Sequence, residues 1–400
     1  VYLAERSILM ENKSCRSMVL ILIIIIPILF SCATTQQKRI ESKDAKTYHQ
    51  LGLTYIRKGD FDQAIFYFNK AIELDPTDAV IYTNRGTAYM VRGQYDRAIP
   101  DFTKALEIDP KYAVAYYNRG NVFCRMGQYD KAISDLNKTL EIDPRFAPAY
   151  NERGIAYRNK GLNDQAISDY SKAIEIIPKN AIAYKNRGMS YADKGQYDQA
   201  ILNYNKALEL NQRDAEAYCD RGIAYYKKGQ HDQAISDFNK ALDINPKFAS
   251  AYTKRGTAYL DKGQYGQAIL DYSKALEINP RDDKAHNNRG TIYMRKGQHD
   301  HAITDFNKAL EINPKFAEAY ANRGAVYGKK GQYDQAILDY NKALEIDSQF
   351  AGAYYNRGLA YYLKKEYDKA WEDINKAKEL GYQIPADFLN QLRKGSGREK

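Results

Sequence analysis

The chain has 400 residues, long enough for roughly two or three ordinary domains, and its 60 lysines and arginines against 50 aspartates and glutamates give a net charge of +10. The excess is not clustered: lysines recur at fixed intervals three residues before an acid, as in Lys70 with Glu73, Lys104 with Glu107, Lys138 with Glu141, Lys240 with Asp243 and Lys308 with Glu311. That spacing sets opposite charges side by side on a helix surface, which excludes a concentrated basic patch and removes nucleic acid from the expected partners. The four cysteines, at 15, 32, 124 and 219, make no CxxC and no pairing with histidine, which excludes a zinc or dithiol motif. Cys124 and Cys219 stand several helices apart and are expected as free thiols.

In chain order, residues 1–31 read as a signal. Lys13 and Arg16 precede a run from Met18 to Phe30 that is apolar except for Pro27, and Ser31-Cys32 follow. Such a run is short for a bilayer span and matches the core of a secretory signal. Leu29-Phe30-Ser31-Cys32 resembles the box of a bacterial lipoprotein, with Phe30 bulkier than the usual residue. The resemblance implies that Cys32 is lipidated and becomes the new N-terminus; an ordinary signal cut near Ala33, and a short uncleaved anchor, are the alternatives. Ala33 is not the aspartate that marks inner-membrane retention in such lipoproteins, so the resemblance implies an outer-membrane lipoprotein facing the periplasm. Val1 is not an ordinary initiator, which leaves Met10 or Met18 as the true start. Residues 32–44 are polar and serve as a tether.

From residue 45 to 384 the chain repeats. Glycine falls every 34 residues, from Gly52 and Gly86 to Gly324 and Gly358, with no insertion. The unit at 317–350 predicts two helices. The first carries Ala319, Tyr320, Gly324 and Tyr327 at three- and four-residue spacing. Gly331 ends it in the left-handed conformation, and Asp334 caps the second helix, which buries Ala336, Ile337, Tyr340, Ala343, Leu344 and Ile346. Proline near the end of most units, as at Pro76, Pro110 and Pro314, stops that helix. Small residues at Gly324 and Ala336 allow close approach, and aromatic rings fill the remaining space.

An aromatic at the fourth place, Gly at the eighth, Tyr at the eleventh, Ala at the twentieth, an aromatic at the twenty-fourth, Ala at the twenty-seventh and Pro at the thirty-second together resemble the tetratricopeptide repeat, ten times over. The resemblance implies an all-α fold, a right-handed superhelical α-solenoid of antiparallel helix pairs, with first helices lining a concave groove. One departure is informative. The seventh place, commonly leucine in the family, is arginine in nine repeats, and the twenty-third is aspartate in eight of those nine. A sequestered guanidinium needs a partner, so within-repeat bridges are expected, among them Arg85 with Asp101, Arg119 with Asp135, Arg221 with Asp237 and Arg289 with Asp305. The first repeat has Leu51 and Tyr67, losing both partners together. Residues 385–400 read as a capping helix and polar tail, with Phe388, Leu389 and Leu392 at helical spacing.

No phosphate loop, metal-binding helix motif or nucleophile elbow is present, so neither an enzyme nor a cofactor or metal site is expected; His299-Asp300-His301 begins where other repeats have tyrosine. The family resemblance places the second, fifth, ninth, twelfth and thirteenth places in the groove, and these differ between repeats while the buried places do not. The sixth place is asparagine at Asn84, Asn118, Asn186, Asn288, Asn322 and Asn356, and resembles the ladder that holds an extended peptide backbone in some members. Tyr117, Tyr226, Tyr355 and Tyr362 are the expected stronger contacts. No triplet of repeats supplies the lysines, asparagines and arginine of the clamp for an acidic chaperone tail. The expected function is a non-catalytic scaffold of the bacterial cell envelope holding a protein or peptide in the groove and the membrane by lipid; a structural spacer, or an accessory subunit of an envelope assembly or enzyme complex, is the alternative.

Overall fold

The structure, a computed structural model, describes residues 44–397; the signal, Cys32 and most of the tether lie outside them. Among the described residues are 21 helices and no strand, in two compact units. The first unit ends at Pro178 and holds four antiparallel pairs: α1 (Ala45–Lys58) with α2 (Phe61–Leu74), α3 (Ala79–Val91) with α4 (Tyr95–Ile108), α5 (Ala113–Arg125) with α6 (Tyr129–Ile142), and α7 (Ala147–Asn159) with α8 (Asn163–Ile176). The second begins at Lys179 and holds α9 (Ala181–Asp193) with α10 (Tyr197–Leu210), α11 (Ala215–Lys227) with α12 (His231–Ile244), and α13 (Ala249–Asp261) with α14 (Tyr265–Ile278). It continues with α15 (Asp283–Arg295) and α16 (His299–Ile312), α17 (Ala317–Lys329) and α18 (Tyr333–Ile346), α19 (Ala351–Leu363) and α20 (Tyr367–Glu379), and closes on the unpaired α21 (Ala386–Ser396). Within each unit every second helix packs on its own first helix and on the first helix of the next pair, and successive first helices touch.

The pair is held together by a residue that lacks a side chain. A Cβ at Gly86 would stand 2.8 Å from the ring of Phe102, and one at Gly188 the same distance from Tyr204. The alanine four residues before each ring, such as Ala98 or Ala200, is fully buried, so ring, alanine and glycine make a contact with no space for one more carbon. Gly331 ends α17 at φ 74°, a conformation costly for residues with a Cβ. At the equivalent turn of the last pair Lys365 adopts φ 63°, the single non-glycine residue with positive φ among those described.

Two expectations need correction here. Asp334 does not cap α18: Gln332 occupies the cap and makes no side-chain cap bond, and Asp334 lies one residue inside the helix. There it takes Lys364 Nζ of the next pair at 2.6 Å. The helix starts earlier because Tyr333 is already helical, and Asp334 still faces the positive end of the helix dipole. Ile346 is 37% exposed, because at the last turn the buried stripe has passed to Ala343 and Leu344. Among the outer-face pairs, Lys308 meets Glu311 at 2.7 Å and Lys342 meets Glu345 at 2.7 Å. Lys240 instead lies over the Tyr218 ring, 5.5 Å from its centroid, since Asp243 is one carbon shorter than glutamate.

The seventh-place arginine forms a clamp. Arg85 Nε donates to Asp101 Oδ2 at 2.8 Å and Nη2 to Oδ1 at 2.6 Å, while Nη1 donates to Asn69 Oδ1, in the preceding repeat, at 2.7 Å. Its guanidinium carbon lies 5.5 Å from the centroid of Tyr82. The same arrangement recurs at Arg119 with Asp135 and Thr103, at Arg221 with Asp237 and Asn205, and at Arg289 with Asp305 and Ser273. Arg187 donates Nε to Asn203 Oδ1 at 2.8 Å, the one place where an amide replaces the carboxylate. In the eighth repeat His286 replaces the stacked tyrosine and its Nδ1 stands 3.1 Å from Asp305. Burial pushes the Asp305 carboxyl up, but hydrogen bonds from Arg289 and His286 outweigh it and hold it below the usual range. At Asp169 and Asp373 burial wins over Arg153 and Arg357, and both carboxyls are raised. Desolvation and bridge therefore stand close to balance, as expected for sequestered ion pairs.

Breaking such a pair leaves one charge without compensation. Asp237 is 4% exposed, whereas Arg221 keeps some contact with water, so Asp237→Ala is expected to cost about 2–3 kcal/mol, below the full penalty for a dry pair. The urea midpoint of the variant should fall clearly, and Arg221→Met with Asp237→Leu should recover most of the loss; identical midpoints for parent and Asp237→Ala would eliminate the clamp as a stabilising device.

Candidate ligand-binding face

The first helices of each unit present one face, and its rows differ in how much they expose. The second place is open, with Ile182 61% exposed and Val80 40%. The thirteenth place is open from Val91 to Leu363. The sixth, ninth and twelfth places are mostly half-buried. The fifth place, expected in the groove, is mostly buried: Thr83, Asn151, Cys219, Thr253, Asn287 and Ala321 all lie in the seam between successive repeats. Thr253 Oγ1, for example, donates to Asp282 Oδ2 at 2.9 Å. The seam needs one residue per repeat to fill it, and the fifth place points there.

The asparagine row is half-buried, and its amides turn back along the array. Asn84 Nδ2 lies 2.7 Å from His49 Nε2, Asn118 Nδ2 donates to Thr87 Oγ1 at 3.2 Å, and Asn322 Nδ2 donates to Asn287 Oδ1 at 3.1 Å. Asn288 accepts from Asn287 Nδ2 at 3.5 Å and hydrogen-bonds Tyr272. The partners of Asn84, Asn118 and Asn322 sit at the fifth or ninth place of the preceding repeat, so each bonded amide keeps only part of its capacity for a ligand. Asn186 is half-buried as well, and Asn356 lines a cavity.

The four tyrosines expected as ligand contacts each have work inside the molecule. Tyr117 packs on Phe146 with ring centroids 5.0 Å apart, and burial, with Glu152 beside it, pushes its hydroxyl up to about 12. Tyr226 packs on His231 and donates to Asp261; burial and that bond raise it to about 12. Tyr355 and Tyr362 also have structural contacts. Tyr355 stacks on Tyr382 at 4.7 Å and meets Phe388 edge-on at 5.8 Å, while Tyr362 meets Phe388 edge-on at 5.4 Å. Both lie against α21, because Phe388 and Leu392 must be covered and these rings are the nearest apolar surface.

Burial also pushes the Cys124 and Cys219 thiols up to about 12, so both free thiols stay protonated and unreactive. Among the described residues no group of three or more histidine, cysteine or acidic side chains is placed to hold a metal ion. Nor is any of their helices long and apolar enough to cross a membrane.

The feature that sequence reasoning missed is a cavity of about 230 Å³ between the last two helix pairs. Its signal was present in Ala325 and Gly328, the smallest residues that the ninth and twelfth places hold anywhere in the repeats.

Because Tyr355 supports α21, Tyr355→Ala should destabilise that helix by about 1–3 kcal/mol, less than a fully buried aromatic truncation. Trp371, whose Nε1 donates to Ser396 Oγ at 3.0 Å, reports on it: its fluorescence should change at lower temperature than helical circular dichroism in the variant, and coincident transitions at the parent temperature would contradict the packing.

Family profiles described as TPR repeat or tetratricopeptide repeat match residues 45–78, 77–145, 147–180, 170–201, 188–229, 215–248, 238–269, 256–297, 290–331, 329–365 and 351–380. No match was found among curated proteins. Among solved structures, a tetratricopeptide repeat protein from Parabacteroides merdae overlays with TM-score 0.51 at 23% identity, covering 62% of this chain and 98% of its own. The APC/C hetero-tetramer Cut9–Hcn1 gives TM-score 0.52 at 16% identity, covering 97% and 98%. YrrB, described as a TPR protein with an unusual peptide-binding site, gives TM-score 0.40 at 29% identity, covering 46% and 95%. At these identities the first two establish the fold alone, and the third overlay is too loose to add to it. The profile matches run through residues 45–145 and 147–380, well over half of the 400 residues, and the chain belongs to the tetratricopeptide-repeat family.

Proposed function

We propose that this chain is a non-catalytic scaffold of the bacterial cell envelope that binds a polypeptide along its first-helix face and is tethered through lipid on Cys32. One observation carries the binding part: the clamp and the glycine–ring contact recur with nearly the same geometry, while the open places beside them change from repeat to repeat. At the thirteenth place the side chains include Val91, Arg125, Asn159, Lys227, Asp261, Lys329 and Leu363, all exposed. Variation of exposed side chains over a fixed framework is what a recognition surface requires. The outer face, by contrast, repeats the same lysine–glutamate pairs and offers little to tell one partner from another.

Contacts spread over many repeats distribute affinity, so position-specific crosslinking tests this reading better than single substitutions. With a photocrosslinking residue at position 227 or 329, one defined partner should be captured in cells, and far less of it from positions 308 and 342. Equal or stronger capture from the outer face would overturn the binding assignment, and scattered products at low yield from both faces would mark a spacer.

The anchor is tested separately. Cys32→Ser should release a soluble form or leave an unprocessed precursor of higher mass. Unchanged membrane fractionation together with unchanged mass would remove Cys32 from the proposal.

A further inference from the structure

The cavity between the last two helix pairs is lined by Tyr340 and Asn356 together with the apolar Ala325, Leu359, Ala360 and Leu363. In the seventh repeat the corresponding tyrosine has protein partners: the Tyr272 hydroxyl lies 3.1 Å from Thr257 Oγ1 and also hydrogen-bonds Asn288 of the next repeat. In the ninth repeat the same places are Tyr340, Ala325 and Asn356, and all three line the cavity. Alanine removes the hydroxyl that would have satisfied the tyrosine. The Tyr340 residue is 3% exposed, and no hydrogen bond to its hydroxyl is found among the described residues. Gly328 removes the side chain that would have filled the mouth, where Leu260 and Met294 stand in the two preceding repeats. Leu359 and Leu363 form the opposite wall, and Lys329, exposed and on the next residue of α17, stands at the rim.

A hydroxyl without a protein partner and an amide lining an otherwise apolar cavity suit a ligand that is apolar along its sides and polar at its tip. The volume, about 230 Å³, exceeds the roughly 150 Å³ of an engineered cavity that takes benzene, so a ring bearing a hydroxyl fits. An aliphatic side chain would leave the Tyr340 hydroxyl without a partner, and a basic one would be repelled by Lys329. We propose that this cavity receives a tyrosine side chain of the bound polypeptide, its phenol hydroxyl meeting Tyr340 and Asn356. The inference deepens the scaffold reading and rests on it, placing one anchor residue of the partner at a defined point of the first-helix face.

The probes are three tripeptides, acetyl-Gly-Tyr-Gly-amide and its phenylalanine and leucine counterparts, titrated into the full chain in detergent and followed by saturation-transfer difference NMR. The tyrosine peptide should bind, with the phenylalanine peptide about 5-fold weaker, the size of one neutral hydrogen bond, and the leucine peptide weaker still. Gly328→Met should reduce tyrosine-peptide binding at least 10-fold without lowering the melting temperature, since a Cβ at Gly328 meets nothing within 4 Å and methionine favours the helix over glycine. Ala325→Thr should return a hydrogen-bond partner to Tyr340 and abolish the preference for tyrosine over phenylalanine. No binding of any peptide, equal binding of the tyrosine and phenylalanine peptides, or an unchanged affinity in Gly328→Met would each overturn the proposal. Partner capture from position 227 separates the two readings. Capture without peptide discrimination rejects the tyrosine pocket and leaves the scaffold, whereas discrimination without capture leaves the pocket and rejects the scaffold.

Discussion

Everything regular in this molecule depends on a guanidinium that cannot be left alone. Packing a planar cation between two layers of helices requires that its donors be met from fixed directions, and the clamp meets them with a carboxylate from the same repeat and an amide or hydroxyl from the one before. Hydrophobic contacts between alanines and rings are permissive about sliding; a bidentate bridge with a third bond to the preceding repeat is not. The clamp therefore fixes how one helix pair sits on the next within each unit, and the glycine–ring contact fixes the spacing inside the pair.

That division of labour decides which side chains are free to vary. Once the fifth place fills the seam between repeats and the asparagine amides turn back on their neighbours, the open surface of the first helices is narrower than the repeat pattern implies. It consists of two open rows and the half-buried places between them. Where the framework relaxes, as at Ala325 and Gly328, the row opens into a cavity of about 230 Å³.

The fold and its internal bridges were legible in the sequence because they repeat. A period of 34 with Gly at its eighth place and Ala at its twentieth announces the helix pair, and the joint loss of arginine and aspartate in the first repeat, at Leu51 and Tyr67, announces their pairing. The exposure of the first-helix rows was legible only in part. Periodicity says which residues share a row, but not whether that row points into a seam, so Thr83 and Asn287 look like groove residues and are buried. The packing of Tyr355 and Tyr362 on α21 was not legible for a related reason: they belong to a repeating row, whereas α21 occurs once. The cap start expected at Asp334 was misplaced by two residues because aspartate favours the first turn nearly as much as the cap itself. The third clamp bond was missed because its acceptor, asparagine, threonine or serine in different repeats, shares no single identity.

The clamp also sets a rule for how such an array can change its length. Arg85 finds one acceptor sixteen residues behind it, at Asn69, and another sixteen residues ahead, at Asp101. Gain or loss of a few residues between them would rotate an acceptor off its face and strand the cation. Gain or loss of a whole 34-residue unit hands each arginine an equivalent neighbour and strands nothing. Duplication and deletion of entire repeats are thus nearly neutral events for this chain, while small insertions inside a repeat are not, and the uninterrupted register from Gly52 to Gly358 is the trace that such a filter leaves.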